Sequence, residues 1–97
     1  MFYISQVCPV CSGGSVGFRR CSDGSTVLFV CDECNATWLL PDTITAQAAL
    51  FPKSPNYTVS GMSCSISGLK SGWATLIEIN NAKLESYIKG EGQALDD

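Results

Sequence analysis

Ninety-seven residues, 45% hydrophobic and 15% charged, suffice for one domain and exclude two cores of ordinary size. Six Lys and Arg against nine Asp and Glu leave a formal charge of −3, which disfavours binding to a phosphate backbone, and no histidine is present to act as a general base. Six cysteines in so short a chain point instead to sulfur as the staple of the fold. The opening "MFYISQV" has neither a basic start nor a small-residue cleavage site, so no signal peptide is expected, and no apolar run reaches membrane-spanning length. A reducing cytoplasm is the expected compartment, where paired cysteines serve metal or redox roles more often than disulfides.

In chain order, the first feature is "VCPVCSGG" at residues 7–14, matched by "VCDECNAT" at 30–37. One C-x-x-C alone would leave a redox dithiol, a disulfide staple and half a metal site all open. Two such pairs, Cys8/Cys11 and Cys31/Cys34, separated by nineteen residues, fit a four-cysteine zinc ribbon. Each pair can form a tight knuckle whose backbone amides turn back on the sulfurs. Pro9 stiffens the first knuckle, Gly13 and Gly14 offer positive φ, and Asn35 tolerates the left-handed region in the second. Four thiolates suit one structural Zn(II) per chain and leave no open coordination position, with iron as the minority alternative.

Between the knuckles, β-formers at residues 15–21 and 26–30 flank a Ser-Asp-Gly-Ser turn, predicting a hairpin that returns Cys31 to Cys11. A third strand is expected at 37–40, ended by Pro41. Neither C-x-x-C is followed by a helical pattern, which disfavours a thioredoxin-like site. Cys21 and Cys64 are left over and read as small buried hydrophobes, a disulfide between them being the disfavoured alternative.

Beyond Pro41, residues 43–50 have the pattern of two helical turns or of irregular chain, and Pro52 and Pro55 stop either. A Ser/Gly-rich stretch from 60 to 72 reads as loop with a brief strand at 63–66; Met62, Cys64, Ile66 and Leu69 are spaced to pack over the ribbon. Thr75 and Glu78 then form a capping-box pattern opening a helix with Leu76, Ile77 and Ile79 on its apolar face. A second short helix is expected near Ala82, with Leu84, Tyr87 and Ile88 on one side and Gly90 as its stop. Trp38 and Trp73 are the expected anchors between this tail and the ribbon.

Together these elements predict a small α+β metal-stabilised domain: an N-terminal zinc ribbon of three short antiparallel strands with a short helical C-terminal segment packed on it. Residues 1–97 form one domain, with the ribbon at 5–41, mostly loop with a short strand at 42–72, short helices at 73–90 and an acidic tail at 91–97.

The segments "CPVC", "GFRRCSDGSTVLFVCDECNATWLLPD", "FPKSPNYTVSG", "WATLIEI" and "YIKGEGQALDD" resemble a family of small bacterial zinc-ribbon proteins. That family accompanies secreted polymorphic toxins of the contact-dependent inhibition type. The resemblance runs from Cys8 to the carboxyl end, and its Arg-Arg-Cys-Ser-Asp-Gly and Trp-Ala-Thr segments are more specific than the ribbon. It implies an immunity protein that binds and neutralises a toxin domain without being an enzyme. Related chains carry an acidic helix after Trp-Ala-Thr, where this one has "LIEINNAKLESY".

Three functions follow for test. The leading one is a binding module meeting a basic protein partner, in its concrete form a toxin domain, through Glu78, Glu85, Glu91, Asp96 and Asp97, residues that equally suit a solvated face. The first alternative is a nucleic-acid-associated ribbon using a basic patch of Arg19, Arg20, Lys53 and Lys70; otherwise Arg19 and Arg20 face solvent or offset the tetrathiolate. The second alternative is a redox protein with at least one metal-free C-x-x-C.

Overall fold

The structure, a computed structural model, describes residues 1–92. Its centre is the expected hairpin. Val16–Arg20 (β2) pairs antiparallel with Val27–Cys31 (β3), in register from Val16 opposite Cys31 to Arg20 opposite Val27. The turn between them is set by Asp23, whose carboxylate accepts the backbone N–H groups of Ser25 and Thr26 and the Thr26 hydroxyl. Gly24 takes the positive φ that the tight turn requires. These donors, the Thr26 hydroxyl foremost, hold the Asp23 carboxyl below its ordinary pKa.

The expected three-stranded ribbon is the middle of a larger sheet. Six strands are present among the described residues, with Phe2–Ser5 (β1), Thr37–Trp38 (β4), Gly72–Trp73 (β5) and Gly90–Glu91 (β6) around the hairpin. The order is β4-β3-β2-β1-β6, and β5 joins β2 on the edge it shares with β1. β1 lies against Val16 and Gly17, whereas β5 lies against Arg19 and Arg20. Every pairing is antiparallel. β1, in the opening segment, is not among the three strands expected from the sequence. Its partner β6 follows Gly90, which the sequence suggested as a helix stop. Gly90 instead admits Tyr3: a Cβ at position 90 would collide with that phenol ring. The Met1 ammonium and the Gly92 carbonyl, 2.7 Å apart, extend this pairing.

Both faces of the hairpin are covered, following the two-residue alternation of its strands. One face carries Val16, Phe18, Phe29 and Cys31 into a core with Ile4, Trp38, Ala74 and Ile79. Phe18 and Phe29 meet edge to face at 5.4 Å, a pairing worth about 1 kcal/mol beyond its buried area. Trp38 is fully buried there and its indole N–H donates to the Thr45 carbonyl at 2.8 Å. The opposite face carries Leu28 and Val30 into a second core with Cys21, Val59, Cys64 and Ile66, which Trp73 borders.

This second face is roofed by the middle of the chain. Residues 43–50 take the irregular alternative: a 3₁₀ turn at Pro41–Thr43 is followed by a bend and a turn at 45–48, and Leu50 exchanges two backbone hydrogen bonds of 2.8 Å with Thr37. The brief strand expected at 63–66 is reduced to one bridging pair, Thr58 with Ser65. Cys64 and Ile66 are buried as their spacing predicts and Met62 partly so, but Leu69 is fully exposed.

The C-terminal helix is one and a half turns long, Leu76–Asn81 (α1), and the capping box of Thr75 and Glu78 is formed in both directions. Only Ile79 of its expected apolar face is buried; Leu76 and Ile77 point outward. Ile79 is the residue of α1 that enters the first core, so a single isoleucine anchors the helix. The second short helix is a 3₁₀ turn at Glu85–Tyr87.

Candidate metal centre

The open end of the hairpin carries the two knuckles. Their shared design is visible in the backbone: Ser12 and Asn35, each directly following the second cysteine of its pair, have φ of 61° and 64°. The expected positive φ at Gly13 and Gly14 is therefore carried by Ser12. The two glycines serve a different need. A Cβ at Gly14 would stand 2.8 Å from the Cys31 sulfur and 2.7 Å from an Asp32 carboxylate oxygen, and one at Gly13 would stand 2.7 Å from Glu33. Glycine is what lets the first knuckle lie against the second.

The knuckles are also tied to each other through their backbones. Asp32 donates its N–H to the Ser15 carbonyl at 3.0 Å, while its carboxylate accepts the Ser15 N–H at 2.9 Å. Asp32 is nearly buried, and no periodicity in the sequence marks it; only its position between two ligands does.

The four sulfurs of Cys8, Cys11, Cys31 and Cys34 all lie within 4.8 Å of one another. Cys11 and Cys31 are 3.6 Å apart and Cys8 and Cys34 3.8 Å. A disulfide would need about 2.05 Å. A regular tetrahedron with metal–sulfur bonds of ~2.3 Å has an edge of ~3.8 Å, so the spacing is that of four ligands around one ion. Backbone N–H groups of Val10, on Cys8, and of Glu33 and Cys34, on Cys31, point at sulfur from 3.4 Å. Such donors stabilise thiolates.

Burial works against that charge. It pushes the thiols of Cys31 and Cys34 above their ordinary pKa despite the backbone donors beside them. At Cys11 the desolvation is outweighed by backbone donors of Gly13 and Gly14 and by the neighbouring thiols of Cys31 and Cys34, and the net direction is downward. A divalent cation at the centre of the four sulfurs supplies the missing compensation. The residues therefore fit a metal.

This chain is 32% identical over 95 residues to uncharacterized protein L48 of Acanthamoeba polyphaga mimivirus, an alignment taking in 90% of this chain and 77% of that protein. It belongs to the L48 family. No family model and no solved structure matches it. The L48 name assigns no activity, and this relative is viral where the resemblance read from the sequence is to bacterial proteins.

The other sequence-derived candidates are dispersed. Glu78 is occupied: its carboxylate caps α1 through the Thr75 N–H at 2.8 Å and accepts Arg20 Nη1 on both oxygens at 2.9 Å. Glu85 is exposed on its 3₁₀ turn and Glu91 is exposed on β6. Asp96 and Asp97 lie outside the described residues. Of the proposed basic patch, Lys53 and Lys70 are exposed, whereas the two arginines are drawn into the fold. Arg19 stacks over Trp73 with its guanidinium 4.7 Å from the ring centroid and donates to the Ile66 carbonyl at 3.2 Å. Arg20 holds Glu78 and the Lys70 carbonyl, the latter at 2.7 Å. Both arginines use their charge to fasten the middle and C-terminal segments to β2. Among the described residues, no helix is long and apolar enough to cross a membrane.

Proposed function

We propose that this protein is a non-enzymatic binding module, stabilised by one structural Zn(II) held by Cys8, Cys11, Cys31 and Cys34, and that it recognises another protein. The observation that carries the reading is the four-sulfur cluster itself. Its tetrahedral spacing and donor set suit zinc, and four protein ligands leave no position for substrate or activated water. Chemistry at the metal is thereby disfavoured, and the surfaces that the metal holds in place become the working parts.

Those surfaces include apolar side chains left outside both cores. Leu39 and Leu40 follow β4 as an adjacent exposed pair, and Leu76 and Ile77 form another on the first turn of α1. The α1 pair is fixed by the capping box and by the Arg20–Glu78 ion pair, which lowers the entropy lost when a partner binds. Exposed Glu85 lies just beyond α1 and supplies the acidic character that suits a basic partner. The concrete form implied by the resemblance is an immunity protein that covers a toxin domain.

The test is coexpression of the chain with the carboxyl-terminal domain of a toxin-like protein encoded directly upstream of it. Relief of toxicity, lost in Ile77→Asp while zinc content is kept, supports the immunity reading. Unrelieved toxicity with no complex on a sizing column overturns it. Metal analysis addresses the zinc separately: one zinc per chain is expected, and iron or four alkylatable thiols without metal would replace that assignment.

A further inference from the structure

The second face of the hairpin holds two cysteines that the metal centre does not use. Cys21 is fully buried immediately after β2, and Cys64, 5% exposed, reaches it from the middle segment. Their sulfurs are 2.8 Å apart, well inside the 3.6 and 3.8 Å that separate the nearest sulfurs of the metal cluster. The backbone holds both residues in this position. Ser22 and Ser65, their immediate neighbours, are joined by two hydrogen bonds of 2.9 Å: the Ser22 N–H donates to the Ser65 carbonyl, and the Ser65 N–H donates to the Ser22 hydroxyl. Cys21 N–H is bonded to the Thr26 carbonyl and the Cys64 carbonyl to the Val59 N–H. No backbone group has to move far for the two sulfurs to meet.

We propose that Cys21 and Cys64 are a site of disulfide formation, a second sulfur staple that closes the 43-residue separation between the hairpin and the segment roofing its second face. The proposal is independent of the metal bound at the other end and of any partner.

The reaction is thiol–disulfide exchange with a small disulfide of the glutathione type. A thiolate of Cys64, the more accessible of the two, attacks one sulfur of the oxidant, whose S–S bond breaks and releases one thiolate. Cys21, deprotonated in turn, attacks the Cys64 sulfur of the resulting mixed disulfide and expels the second thiolate. Two protein thiols lose two protons and two electrons, and one oxidant disulfide becomes two thiols. Cys21 is a slow nucleophile, because burial and the adjacent Cys64 push its pKa up to about 12, so closure is expected to be slow and selective.

The metal-loaded full chain is incubated with oxidised and reduced glutathione in varying ratio, quenched with acid, alkylated after denaturation and mapped by peptide mass. The expected product is a single crosslink between the Cys21 and Cys64 peptides, with metal content unchanged and the urea midpoint raised relative to the reduced chain. Cys64→Ala should keep its metal, form no crosslink and show the same urea midpoint in oxidant and reductant. The proposal is overturned by full alkylation of both thiols after prolonged oxidation, by glutathione retained on Cys64 without closure, by a crosslink to Cys8, Cys11, Cys31 or Cys34, or by an oxidant-dependent midpoint that persists in Cys64→Ala.

Discussion

One hairpin carries two sulfur groups of opposite character, and the contrast shows how little the residue type alone decides. At its open end four cysteines stand 3.6 to 3.8 Å apart at the nearest contacts, with several backbone N–H groups aimed at their sulfurs. At its turn end Cys21 faces one thiol at 2.8 Å inside an apolar core. Burial raises the pKa of Cys31 as it raises that of Cys21. What differs is the number of donors converging on a point: four ligands define a cation site, whereas two define at most a bond between themselves.

The largest effect separating the two groups should come from the metal. Adding a strong chelator, or replacing Cys31 by Ser, is expected to release the ion and unfold the chain. Structural zinc contributes on the order of 10 kcal/mol in small domains, comparable with the whole stability of a chain this size. Circular dichroism followed alongside metal stoichiometry checks this. A Cys31→Ser chain that stays folded with metal bound would remove Cys31 from the ligand set. Cys64→Ala, by contrast, should leave the metal in place.

Gly14 offers a smaller and more local way to break the cluster. Its alanine variant would put a methyl group 2.8 Å from the Cys31 sulfur and 2.9 Å from Glu33 Cβ, and such overpacking costs about 1 to 3 kcal/mol. Metal affinity, measured by competition with a chromophoric chelator, should fall about tenfold or more. Gly61, in the segment roofing the other face, has φ of 82° and open space around it. Gly61→Ala should therefore cost about 1 kcal/mol of stability through its backbone alone and leave metal affinity unchanged. Equal losses of affinity in the two variants would show that the faces are not independent.

The cluster was legible because its signal is chemical and local: four cysteines in two pairs at ribbon spacing, a turn-forming Ser-Asp-Gly-Ser and two runs of β-formers. The capping box of Thr75 and Glu78 was legible for the same reason. The rest depends on partners distant in sequence. Two-residue strands such as Gly72–Trp73 and Gly90–Glu91 have no periodicity of their own and exist because β2 and β1 offer them an edge. Leu76 and Ile77 fit a helical apolar face as well as Ile79 does, yet only Ile79 is buried, against residues of the sheet that are distant in sequence. Arg19 and Arg20 looked alike in sequence, yet the alternation of β2 sends one to Trp73 and the other to Glu78 on α1.

The Arg20–Glu78 contact gives the smallest expected effect and the most specific one, because Glu78 serves two bonds that can be removed separately. Its carboxyl is held below the ordinary glutamate pKa, first by the Thr75 N–H and then by Arg20. A lowered folded-state pKa means that the charged form stabilises the fold above the unfolded-state pKa, and that this contribution is lost as pH falls through the folded-state value. Both side chains are about a quarter exposed, at 25% and 28%, so solvent screens the pair and it is worth about 0.5 kcal/mol. Glu78→Gln keeps an acceptor for the Thr75 N–H and loses the charge; it should lower stability by about that amount at neutral pH. Glu78→Ala also loses the cap and should cost about 1 kcal/mol more. In acid, below the folded-state pKa, the wild-type protein should lose its advantage over the Gln variant while the Ala variant stays weaker than both. Urea unfolding of the metal-loaded forms at neutral and acidic pH reads this, with metal content checked at each pH. A Gln variant whose deficit persists unchanged in acid would show that Arg20 is held by its bond to the Lys70 carbonyl and gains nothing from the carboxylate.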